Sequence, residues 1–299
     1  MSVCVNKVGL YNLQPAGCLT TPSITKKFIF VPYFKEDGTV NSIDLSLPFG
    51  ETEIDALINQ SDKNLRWYPT ATVSNFVTER ADPITETIDN VDYIISEGVR
   101  TMSGDFISAS AGLAKKINSN NAVEVGVYLV DSANGLTGIK SGCNDLQPIR
   151  LEKNQFGKVV FPTESNIFKV MWSATWSRLI TDGCLVTLCF DDHKTDVLSK
   201  NGLVDVKFCN ESVVDATTFR ISYNIPNGSA KGIAFTGLLA SDFLLVNSTT
   251  NTLMAISAVA EFSDGTYEVT YTAQNAGELG TLSVTKTGFE FEDATIEFV

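Results

Sequence analysis

Ala122-Val123-Glu124-Val125-Gly126-Val127-Tyr128-Leu129 alternates with a period of two. Val123, Val125, Val127 and Leu129 therefore fall on one face of a β-strand, directed inward. The same pattern recurs on both sides of this stretch, broken by short turn signals. Upstream, residues 27–34 read as a strand, Lys35-Glu36-Asp37-Gly38 as its turn and 39–45 as the returning strand. Asp-Gly suits that turn because Gly adopts positive φ without steric cost. Downstream, strands are expected at 149–151, 159–161, 168–176 and 184–190. In 168–176, Phe168, Val170, Trp172, Ala174 and Trp176 share one face, and core packing or a subunit contact explains the two tryptophans better than a ligand platform. Two stretches switch to helical spacing. Residues 51–60 place Ile54, Leu57 and Ile58 on one face; residues 108–118 bury Leu113, Ala114 and Ile117, with Ser108 or Ser110 as cap. The fold class is mainly β.

Residues 73–104 read as a long two-stranded arm, running out over 73–88, turning at Asp89-Asn90 and returning over 91–104. Glu79, Arg80, Asp82, Thr85, Glu86 and Thr87 dominate the outgoing half. The return carries Val91, Tyr93, Ile94, Ile95 and Val99. Such a hairpin cannot build a core of its own. Its apolar return favours an arm held by another copy of the chain over a free surface hairpin.

Hydrophobic residues make up 43% of the 299, enough for a sizeable core, so wholesale disorder is excluded. No run approaches the roughly 18–20 apolar residues of a membrane helix. Met1 to Lys7 lacks the apolar stretch of a secretory signal, so a soluble protein made in a cytoplasm is expected. The net charge is −13 and the densest basic spots are Lys26-Lys27 and Lys115-Lys116. A tight nucleic-acid ligand needs a basic face, so none is expected. An acidic surface instead lets DNA pass without sticking.

Cys4, Cys18, Cys143, Cys184, Cys189 and Cys209 form no CxxC and read as free thiols packed as small hydrophobes. The one histidine, His193, lies in Asp191-Asp192-His193-Lys194-Thr195-Asp196, read as a polar turn. No further N or S ligand stands at zinc spacing, and no GxSxG, GxGxxG or Walker loop is present. No enzyme activity, cofactor or metal is expected. Asp191, Asp192 and His193 are the cluster to test otherwise.

Residues 191–202 are polar and read as a linker, dividing a β domain at 1–199 from a second at 200–299. From 201 onward, Lys207, Arg220, Lys231 and Lys286 face 12 carboxylates, giving −8 of the total −13. The second part has the length of one immunoglobulin-type sandwich, with strands expected at 203–209, 218–225, 232–238, 243–247, 253–262, 265–273 and 281–287. Asp264-Gly265-Thr266-Tyr267 resembles the D-x-x-Y element of Ig-like domains, in which Tyr267 would bond back to backbone as a tyrosine corner. No Cys…Trp…Cys framework accompanies it.

The first 190 residues resemble the major tail tube proteins of long-tailed bacteriophages. Residues 28–34 with Asp37-Gly38 are similar to their opening hairpin, 77–80 through 97–104 to their long loop and following strand, and 108–118 to their flanking helix. Residues 203–299 would supply the C-terminal Ig-like domain that many carry; the helix at 51–60 is a departure. The resemblance implies a tail-tube-like β-sandwich or barrel, followed by an Ig-like sandwich. It implies stacked, hexameric rings whose inner strands join into one barrel, with DNA passing through the lumen without specific binding. The implied partners are further copies and other tail proteins, with no membrane. The implied place is the virion tail, after synthesis in the host cytoplasm. Some of Glu79, Asp82, Glu86, Asp89, Asp92 and Glu97 are then expected at the lumen or the ring interface. The alternatives are a capsid decoration or baseplate protein, which would form a trimer or isolated ring, and an Ig-like carbohydrate-binding adhesin using Trp172 and Trp176.

Overall fold

A computed structural model describes residues 22–107, 109–180, 182–190, 195–227, 229–230, 232–262 and 264–299. Cys4, Cys18, the possible cap Ser108 and the Asp191-Asp192-His193 cluster lie outside the described residues. The fold is mainly β, with few helices, and divides into two compact units, 1–202 and 203–299.

In the first unit, β1 (Thr25–Pro32), β2 (Ile43–Asp44), β3 (Tyr68–Pro69), β4 (Val73–Arg80), β5 (Ile84–Ile88), β6 (Val91–Ser96) and β7 (Arg100–Phe106) come first. Then follow β8 (Val125–Asp131), β9 (Leu136–Ser141), β10 (Asp145–Gln147), β11 (Ile149–Arg150), β12 (Phe156–Val160), β13 (Lys169–Thr175) and β14 (Leu185–Leu188). Two helices interrupt them, α1 (Glu51–Ile58) and α2 (Ala111–Ser119). The larger sheet runs β2-β10-β9-β8-β1-β3, with β11 on β8 and β14 on β9; a second runs β12-β13-β7-β4.

The strand β8 is buried along its whole length. Val125, Val127 and Leu129 enter one core with Phe28, Phe106 and Trp172, while Tyr128 and Val130 enter another with Ile54, Ile58 and Trp67. Alternation thus separates two cores rather than core from solvent, and Val123, ahead of the strand, is exposed. The Tyr128 hydroxyl is satisfied inside by donating to Leu146 O at 2.9 Å. The helix α1 takes the expected face, burying Ile54 and Ile58, and Glu53 accepts the Gly50 N–H at 2.9 Å. The second helix starts at 111; Ser110 sits at its N-cap without a side-chain bond.

Several expectations are corrected. The segment 39–45 does not pair back along β1: just past the turn it forms the Phe34–Val40 bridge, with the Asn41 N–H donating to Tyr33 O at 2.9 Å, and β2 then pairs β10 instead. Cys143, Cys189 and Cys209 are exposed free thiols rather than packed ones, and Cys184 is disulfide-bonded. Within the expected linker, the described residues 195–202 form a strap on the first unit. Val197 is buried, Lys200 reaches Glu51 and Asp55 of α1 at 2.6 and 2.8 Å, and the Lys27 ammonium donates to Leu198 O at 2.8 Å and to Lys200 O.

The second unit contains β15 (Val204–Asp215), β16 (Thr218–Ile225), β17 (Ile233–Ala234), β18 (Phe243–Asn247), β19 (Thr252–Met254) and β20 (Ile256–Glu261). It ends with β21 (Thr266–Tyr271), β22 (Leu279–Lys286), β23 (Phe289–Phe291) and β24 (Ala294–Glu297). One layer holds β15, β16, β21 and β20, the other β19, β18, β22 and β24; β23 joins them by pairing both β15 and β22. Phe219, Ile221, Tyr267 and Val269 from one layer and Leu245, Leu282 and Ile296 from the other share a single core. The Tyr267 hydroxyl does bond to backbone, donating to Phe235 O at 2.9 Å and accepting the Leu238 N–H at 3.3 Å, but these partners lie 32 and 29 residues upstream, not the few residues that a tyrosine corner spans.

Candidate assembly surface: an open sheet and its arm

The four-stranded sheet β12-β13-β7-β4 buries Val170, Trp172, Ala174, Met102 and Phe106 on one face. Trp176 is buried beside them, so neither tryptophan of the pair is an exposed platform. The register puts Phe156, Ser173, Ser103 and Val77 in one row of the opposite face, and Thr175, Thr101 and Glu79 in the next. Short hydroxyl side chains therefore occupy the middle of that face. Lys158 and Lys169 balance Asp105 and Glu79 in formal charge. Asp105 is itself held by Lys169 at 2.7 Å and by Asn75 at 2.9 Å.

Both edge strands of this sheet, β12 and β4, lack a second strand partner among the described residues. Along β12, however, the Gly157 N–H and C=O are already bonded by the Asn118 side chain of α2, at 2.8 and 3.2 Å, so β4 is the more open edge. An unpaired edge presents a row of backbone donors and acceptors to another strand. At the end where β4 passes toward β7, the chain leaves the sheet as a separate hairpin of β5 and β6. Its turn is Asp89-Asn90, both with positive φ (54° and 63°), the backbone of a tight I′-type hairpin turn.

Ile84, Glu86 and Ile88 share one face of the hairpin with Val91 and Tyr93 across from them, while Thr85, Thr87, Asp92 and Ile94 take the other. Ile84, Ile88, Val91, Tyr93, Ile94 and Ile95 are each more than half exposed. One face is thus mostly apolar with a carboxylate at its centre.

The six carboxylates singled out in the sequence divide accordingly. Glu79 alone lies on the open sheet, opposite Thr101. Asp82 sits in the neck, Glu86 and Asp92 on the two hairpin strands, Asp89 at the tip, and Glu97 at the root, where it pairs with Arg80 at 2.9 Å. Asp92 accepts a hydrogen bond from Thr87. The structure therefore gathers five of them on the arm and its neck rather than on one sheet face.

Sequence reading missed the side chains at the root. Arg80 donates to Asp182 at 2.9 Å and to Gly98 O at 3.1 Å; Arg100 donates from Nε to the same carboxylate at 3.0 Å and from Nη2 to its other oxygen. Burial alone would raise the Asp182 pKa, but the hydrogen bonds and charges of Arg100 and Arg80 outweigh it and hold the carboxyl below its usual range. Arg100 also lies over the Trp176 ring, 5.0 Å from its centroid. The one signal in the sequence was the placing of Arg80 and Arg100 at the two feet of the arm.

Among the described residues no His/Cys/Asp/Glu group is arranged to hold a metal ion, and no helix is long and apolar enough to cross a membrane. No family model matches the chain, and no curated protein does. Among solved structures, the chain is similar to the N-terminal part of the bacterial S-layer protein SbsC, at 21% identity over 31% of this chain and 22% of that one, with a TM-score of 0.23. A likeness of that size carries no argument about fold or function.

Proposed function

We propose that this chain is a structural virion protein that self-assembles into stacked rings, forming a tail tube through which DNA passes. The observation that carries the reading is the four-stranded sheet with two unpaired, unlike edges and a protruding arm. Edge-to-edge addition of β4 to the β12 of another copy, displacing the Asn118 side chain from Gly157, would continue the sheet from protomer to protomer and remove both edges. The arm, whose apolar side chains find no cover among the described residues, would dock on a neighbouring copy. A sheet face of small hydroxyls with balanced charge offers phosphate no basic grip. The arm's carboxylates add repulsion wherever they meet the lumen. Six copies per ring and contacts with other tail proteins rest on the resemblance alone.

Negative-stain microscopy of the full chain at rising concentration tests this. Hollow rings or tubes with a regular axial repeat are expected. A monodisperse monomer or trimer at every concentration would sink it and favour a decoration protein.

A further inference from the structure

We propose that Asp182 is the positioning residue of the arm: an ionic latch at its root, spanning Arg80 and Arg100, fixes the direction in which the β5–β6 hairpin leaves the sheet. Beyond the root, β5 and β6 pair only with each other among the described residues. The arm's direction must therefore be set where it joins the body. Three kinds of contact do so. The Ala81 N–H donates to Val99 O at 3.0 Å, closing the two feet. Arg80 on the outgoing foot holds Glu97 at 2.9 Å and Gly98 O at 3.1 Å on the returning one. Asp182, from the chain beyond β13, ties both arginines to the body.

The joint is polar and underfilled. Arg80, Glu97, Arg100, Trp176, Arg178 and Ile180 help to line a cavity of about 20 Å³, too small for more than a water molecule. Arg80 Nε and Trp176 Nε1 are buried and have no acceptor among the described residues. A hydrophobic root would hold the arm by packing, whatever the charge on any one group. Here the hold is electrostatic, and the Asp182 side chain is 44% exposed, within reach of screening ions. Removing its charge leaves two guanidinium groups facing each other at the feet, with only Glu97 to oppose them.

Backbone hydrogen exchange on the full chain tests the latch without reference to assembly, so a failed tube reading and a failed latch are separate results. Asp182→Asn is expected to speed exchange roughly tenfold at the Ala81 amide and across 80–99, the size of a lost charged hydrogen bond. Amides between β7 and β13 should keep their protection, and Asp182→Glu should stay near the parent. Raising salt to about 1 M should move the parent toward the Asn variant and narrow the gap between the two. Unchanged exchange in Asp182→Asn would overturn the proposal, as would acceleration spread evenly through β7 and β13. If that variant does not fold, an absent salt response in the parent overturns it alone.

Discussion

The Tyr267 hydroxyl holds the Phe235–Leu238 segment through one donated and one accepted hydrogen bond inside the second unit's core. Tyr267→Phe leaves a carbonyl and an amide buried without a partner, so a loss of about 1–3 kcal/mol is expected. A lower urea midpoint for residues 203–299 with an unchanged slope would show it. The turn ahead of this residue was legible in the sequence because its signal is local: Gly265 turns with φ +75° and Asp264 accepts the Thr266 N–H at 3.1 Å; the hydroxyl's partners, 32 and 29 residues upstream, were not. Lys27 was not legible. It reads as half of a surface basic pair, yet it is buried because its acceptors, Leu198 O, Lys200 O and Asn201 Oδ1, lie more than 170 residues downstream. Burial pushes its pKa down, against the opposing charge of Asp196. Lys27→Met strips the strap of these donors, and a destabilisation of about 2–4 kcal/mol is expected, with proteolysis beginning at 195–202.

Among the elements, the arm's neck is the most exacting. A Cβ on Gly98 would stand 1.6 Å from Ala81 O, a backbone atom that cannot swing aside. Gly98→Ala should therefore open the neck and expose 81–99 to limited proteolysis while the buried part of β7 stays protected; an unchanged cleavage pattern would contradict this. The latch has a pH signature as well. A carboxyl whose folded pKa is depressed contributes fully above its ordinary range and loses that contribution as pH falls through the folded value. The difference in Tm between the parent and Asp182→Asn should thus be steady from about pH 5 to 7 and shrink as pH falls below the ordinary carboxylate range.

The strands 218–225 and 243–247 could be read to the residue, because alternation and flanking turns coincide there. The pairing of β2 with β10 could not, since strand partners are chosen by tertiary contact and not by sequence neighbourhood. Nor could β23 and β24, which are three and four residues long, too short for a period of two to stand out.

At the scale of the whole molecule, the division after Gly202 makes the second unit separable from the proposed assembly. A chain ending at 202 should still form rings if the open sheet is the joining surface. Microscopy of that truncation, beside the intact chain, distinguishes a dispensable second unit from one that scaffolds the ring. The mainly-β class was legible because period-two alternation repeats along the chain. The candidate surface was legible only in part: residues 73–104 announced an arm, but the two edges without a second strand appear only once every strand's partner is known.

Those two edges are different from one another, and that has a consequence for counting. An interface between unlike surfaces is heterologous, so it closes only when the rotation from one copy to the next divides a full circle. That rotation is carried by the right-handed twist of the four strands between the edges. A substitution in the middle of the sheet, which touches no neighbour at all, can therefore change the circumference of the ring.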